Sequence, residues 1–96
     1  MYLEIVSPET TLFKGKVDSV AVPGVNGEFE MLNKHAAIVS TLKDGFVKIR
    51  GTFDLSEENT SKFQKKDGAY WLAINSGTIE MNANKIIVRK FIKLWF

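Results

Sequence analysis

Hydrophobic and polar residues alternate with a period of two along most of the chain. Tyr2–Val6 sets Leu3 and Ile5 against Glu4, and Val17–Val22 sets Val20 and Val22 against Ser19 and Ala21. Glu28–Leu32 opposes Phe29 and Met31 to Glu28 and Glu30, and Gly45–Arg50 opposes Val47 and Ile49 to Lys48 and Arg50. The same rhythm returns in Ala69–Asn75 (Tyr70, Leu72, Ile74), Thr78–Asn82 (Ile79, Met81) and Lys85–Lys90 (Ile86, Val88). Successive side chains of a strand point to opposite faces, so each run predicts a strand with one buried face. Between the runs lie turn formers: Ser7-Pro8, Gly15, Pro23-Gly24, Asn26-Gly27, Asp44-Gly45, Gly51, Asp67-Gly68, Ser76-Gly77, and Asn82 with Asn84. Many short strands at close spacing, with no long helical stripe, predict an all-β sandwich or small barrel.

Two segments break the rhythm. Residues 56–66 are polar and carry a single apolar residue, Phe63, so 51–68 reads as an extended hairpin or loop inserted in a domain that runs from 1 to 90. The last six residues, Phe91 to Phe96, are the reverse: five are apolar, and such a tail must dock on the domain, on a partner or on a membrane surface.

Composition narrows the function more than the fold. Ninety-six residues suffice for one domain, and 45% hydrophobic with 25% charged residues is ordinary for a globular chain. The chain has no cysteine, which removes disulfides and thiolate chemistry, and its single histidine makes a zinc site improbable. The net charge of +2 divides into −2 over residues 1–84 and +4 over 85–96. That basic bias is too small to imply a nucleic-acid partner. No run is long and apolar enough to span a membrane, and the N-terminus lacks the pattern of a signal peptide. The expectation is a soluble, cytoplasmic chain.

Candidate chemistry is sparse. Pro23-Gly-Val-Asn-Gly-Glu-Phe29 lacks the Lys-Ser/Thr and the following helix of a phosphate loop, and reads better as a tight turn. Glu28 and Glu30 share one strand face, but both look solvated, and acid–base division of labour needs unlike environments. His35 has no evident nucleophile or orienting partner in the sequence. Tyr70 and Trp71 are adjacent, so one is predicted in the core and the other at the surface as a possible anchor. The basic, aromatic tail also suits a lipid interface. The residues alone therefore leave a non-catalytic β domain whose work is contact, with a carbohydrate- or membrane-binding module as one form of it.

The run from Pro23 to Ala36, PGVNGEFEMLNKHA, resembles the signature of the epsilon subunit of F-type ATP synthases. The opening strand and turn (Tyr2 to Gly15), Asp44-Gly45 with Val47 and Ile49, and Ser76 to Val88 are similar to other parts of that family in the same order. The resemblance implies a ten-stranded β-sandwich in the rotor stalk that clamps the gamma subunit to the c-ring and couples ion flow to ATP synthesis. It implies no cofactor, no metal and no catalytic residue. It would place the chain peripherally, through the complex, on the cytoplasmic face of the bacterial inner membrane. Carried onto this sequence, Glu28, Met31 and Lys34 would meet the c-ring, and Ser7, His35 and Ser40 would meet gamma. Three departures stand out: Asn33-Lys34 replaces the family's frequent Pro-Gly before the histidine, 51–68 is longer than usual, and the regulatory helical hairpin of the common bacterial form is expected to be missing after Phe96.

Overall fold

A computed structural model describes residues 1–33, 36–53 and 60–91. Ten strands are present: β1 (Tyr2–Val6), β2 (Thr11–Lys16), β3 (Ser19–Gly24), β4 (Gly27–Leu32), β5 (Ile38–Leu42), β6 (Gly45–Arg50), β7 (Phe63–Lys66), β8 (Ala69–Ile74), β9 (Gly77–Asn82) and β10 (Lys85–Lys90). They follow one hydrogen-bonded path, β2-β1-β10-β9-β5-β3-β6-β8-β7, with β4 added on β3. Among the described residues only β1 and β10 pair in parallel, with Leu3 opposite Ile86 and Ile5 opposite Val88.

The path is a sandwich because it nearly breaks in the middle. β3 and β5 share a single pairing, Gly24 with Leu42. To one side lies a ladder β2-β1-β10-β9-β5, to the other β4-β3-β6-β8-β7. The inward positions of both ladders form one core: Leu3, Ile5, Ile79, Met81, Ile86 and Val88 from the first, and Val20, Val22, Met31, Val47, Ile49 and Leu72 from the second. These are the residues the alternation predicts on the buried face.

Pro23 sits where the two ladders part. Its carbonyl accepts from Lys43 N–H at 2.8 Å, so its own nitrogen faces the same side. On that side β6 pairs only with Ser19–Ala21, and β5 takes over at Gly24. The missing proline N–H thus falls at the corner, where no ladder bond is required of it. Gly45 opens β6 at the same corner, and a Cβ there would lie 2.7 Å from the Pro23 Cβ.

Of the two forms expected for 51–68, hairpin or loop, the described residues 63–68 take the hairpin. Phe63–Lys66 is not loop but the edge strand β7, paired with β8, and Phe63 is buried in the core. Asp67 and Gly68, both at positive φ, close the β7–β8 hairpin. Phe53, half-buried, packs edge-on against Phe13 at 4.9 Å and against Tyr70 at 5.3 Å, bridging β2 to β8. Residues 54–59 and the tail from 92 to 96, whose docking the sequence leads one to expect, lie outside the described residues.

Candidate functional site

The turns gather at two ends. At one end lie the β1–β2, β3–β4, β5–β6 and β8–β9 connections, brought together by the pairings Gly24–Gly27, Gly24–Leu42, Leu42–Gly77 and Gly45–Ile74. At the other, the β9–β10 turn meets the N-terminus and the end of β4: Tyr2 N–H donates to the Asn84 carbonyl at 3.1 Å, and Asn84 Nδ2 donates to Asn33 Oδ1 at 2.8 Å.

Glu28 stands at the first end, beside the β3–β4 turn whose Val25 is exposed. β4 presents Glu28, Glu30 and Leu32 outward and Met31 inward, in register with Pro23, Ala21, Ser19 and Val20. β6 presents Phe46, Lys48 and Arg50 on the same outer face, Lys48 opposite Ala21 and Trp71. The outward residues of β3 are short, so they form a buried floor between longer side chains on β4 and β6. Across that floor Lys48 Nζ reaches Glu28 Oε1 at 2.8 Å. The pair is partly exposed, so it contributes of order 0–1 kcal/mol and is screened by salt.

Trp71 completes this face. Phe46 stacks obliquely on it at 5.3 Å, and the ammonium groups of Lys48 and Lys66 lie 4.3 Å and 4.8 Å from its ring centroid. Its Nε1–H is buried without a hydrogen-bond partner among the described residues. Tyr70 packs inward against the core. The aromatic pair therefore divides between core and surface as predicted, but the ring of Trp71 is covered by lysines rather than offered as a bare platform for a sugar.

The outer face of the first ladder is built differently. β5 turns Ile38, Ser40 and Leu42 toward the sandwich interior and leaves Val39 and Thr41 outside. Val39 is 78% exposed, the most open large apolar side chain among the described residues. It lies in register with Glu80, which faces the half-buried Ile87, which in turn faces Glu4. Arg89 pairs loosely with Glu80 at 3.4 Å. A shallow hollow adjoins Val39, lined by Ala37, Ile38, Glu80, Met81 and Asn82. A row in which exposed Val39 and half-buried Ile87 alternate with Glu80 and Glu4, beside a shallow hollow, suits a protein contact better than a ligand pocket.

The residues singled out in the sequence do not form one cluster. Glu28 is exposed at the turn end of the second ladder. Met31 is fully buried on the core face, so its side chain makes no surface contact with a c-ring; its role is packing. Ser7 caps the β1–β2 turn, donating from its hydroxyl to the Thr10 carbonyl at 3.2 Å and accepting from Thr10 N–H at 3.3 Å. Ser40 lies half-buried on the inward side of β5, its hydroxyl donating to the Thr41 carbonyl at 3.3 Å. Lys34 and His35 lie outside the described residues. Sequence reasoning missed Val39 and Lys48; alternation through Ile38–Leu42, with Leu42 inside, would have put Val39 outside. Among the described residues no three His, Cys, Asp or Glu side chains converge to hold a metal ion.

The sequence profile of the "ATP synthase, Delta/Epsilon chain, beta-sandwich domain" matches residues 1–89. An ATP synthase epsilon chain of Chlorobaculum tepidum is 35% identical over 86 residues, covering 90% of this chain and 83% of that one. An epsilon chain of Campylobacter jejuni is 38% identical over 85 residues, covering 88% of this chain and 56% of its own length. Among solved structures, a chain of the central stalk and c-ring assembly of the Tetrahymena thermophila mitochondrial ATP synthase superposes with a TM-score of 0.72 at 16% identity, covering 96% of this chain and 63% of that one, a likeness of fold.

Proposed function

The chain belongs to the ATP synthase delta/epsilon family through its β-sandwich domain, and on that premise we propose that it is a non-catalytic rotor subunit that joins the gamma subunit to the c-ring and turns with both. The observation that carries this reading is the match over 1–89. The geometry supports it with two separate outer faces, one on each ladder, joined by one core. Coupling requires exactly that separation, since a part that transmits torque must be held at two places.

The outer face of the first ladder, centred on Val39 and reaching Ser7 at its turn end, is the gamma-facing surface in this reading. Its exposed valine and adjoining hollow are what a partner's apolar side chain would cover. The corner at Val25 and Glu28 faces the polar loops of the c-ring. A carboxylate there pairs with basic groups at the rim, contributing register and association rate more than affinity. The chain would then sit peripherally at the inner face of the ion-translocating membrane, held through the complex. The described residues include no helix long and apolar enough to cross it.

The test is reconstitution with gamma from the same organism. A 1:1 complex at micromolar concentrations, and retention of the chain in the purified synthase, are the expected results. Failure of both would overturn the proposal.

A further inference from the structure

Lys48 has two carboxylates within reach and uses the less direct one. In strand register it lies opposite Ala21, and Ala21 lies opposite Glu30, so Glu30 is straight across β3. Glu28, which Lys48 actually pairs with at 2.8 Å, is one outward position further toward the turn end. Glu30 is exposed and has no ion-pair partner among the described residues. The short Ala21 and Pro23 leave nothing tall between the strands, so the lysine can swing along the floor from one carboxylate to the other. In the Glu28-paired position its ammonium lies 4.3 Å from the Trp71 ring centroid, so Trp71 senses where the lysine is.

We propose that Lys48 is a two-position latch for Glu28: it holds Glu28 in the free chain and passes to Glu30 when a cationic group on the partner takes the Glu28 carboxylate. The inference rests on the coupling role proposed above for the identity of that partner, the c-ring. The physical gain is in the exchange. Without Glu30, a partner cation that captures Glu28 leaves Lys48 unpaired beside the new contact, and like charges at one carboxylate repel. With Glu30, the displaced ammonium moves away from the interface onto an equivalent partner. The handover then costs little, and the contact forms without a stranded charge. Glu30 and Lys48 are positioning residues here; Glu28 alone touches the partner.

Two measurements test this separately, both with Trp95→Phe protein so that Trp71 is the sole tryptophan. In the isolated chain, Glu28→Gln should transfer the nuclear Overhauser contacts of the Lys48 ε-methylene to the Glu30 side chain. Lys48 released to water instead overturns the latch, whatever the chain binds. In the second measurement the gamma-bound chain is presented to detergent-solubilised c-ring at low ionic strength. Glu30→Gln should weaken binding roughly two- to fivefold, the range of an exposed ion pair. That loss should vanish in a Lys48→Gln background, and c-ring binding should shift Trp71 emission only while Lys48 is present. An unchanged affinity for Glu30→Gln, or an equal loss with and without Lys48, refutes it. Transfer in the isolated chain with no c-ring binding at all would uphold the two positions of Lys48 but sink the coupling role, and with it the handover to that partner.

Discussion

Single residues decide where this sandwich is strained and where it has no room. Ala83 and Asn84 form the two-residue β9–β10 turn, with φ of 49° and 62°. Both lie in the left-handed region that such hairpins require, and alanine is poorly suited to it. Ala83→Gly should raise unfolding free energy by about 0.5–1 kcal/mol, read as a shift in the urea midpoint. The neighbouring Asn84 is a different case, since its amide bonds Asn33 and its carbonyl serves Tyr2. Gly77 marks the opposite kind of limit. It is buried in β9 against β10, and an added Cβ would collide with the Arg89 carbonyl. Gly77→Ala should therefore cost about 1–3 kcal/mol, because a backbone pair must spread to admit a methyl. The same scale explains the error over Met31. Its alternation with Glu28 and Glu30 already placed it on the apolar face, and only the family resemblance moved it to an interface. Where a residue's own pattern and an inherited role disagreed, burial followed the pattern.

Among the elements, alternation made most strands legible, the edge strand β4 included, and failed at β2 and β7. β1, β6, β9 and β10 each bury alternate residues most deeply, so their sequences carry the period directly, whereas β3 is buried on both faces. β2 hides it: Leu12 and Phe13 are adjacent and both buried, because a register shift opposite Ile5 and Val6 adds a bulge. β7 hides it too, since an edge strand of four residues with one inward side chain shows no repeat. β5 is absent from the alternating runs read in the sequence, so its faces were not assigned, and the candidate gamma-facing surface depends on that assignment. Val39 is the test of it. Because it is 78% exposed, Val39→Asp should change stability by no more than about 0.5 kcal/mol. If the first ladder's outer face meets gamma, burying that carboxylate without a partner should weaken the complex by at least tenfold in a titration with isolated gamma. Unchanged affinity would move the interface elsewhere on the domain.

For the whole molecule the question is whether two ladders behave as one body. Their backbones share a single pairing, Gly24 with Leu42, so hydrogen bonds alone would let them part. What holds them is side-chain packing: one core fed by both layers, and at its open side the chain of rings Phe13, Phe53 and Tyr70. Phe53 is the middle ring, belongs to no strand, and ties β2 of the first ladder to β8 of the second. A subunit that carries torque between two partners needs this closure, since layers that slide would dissipate the rotation they are meant to pass on. Phe53→Ala removes a half-buried ring and its two ring contacts, and should lower unfolding free energy by about 2–3 kcal/mol. Trp71 emission in Trp95→Phe protein reports the second ladder alone, whereas far-ultraviolet circular dichroism reports both. In the parent protein the two urea transitions should coincide, as two-state unfolding demands. In Phe53→Ala they should move together to lower urea. A tryptophan transition that separates from the dichroism would show that the ladders unfold independently, and a body that comes apart so could not serve as a rigid coupling.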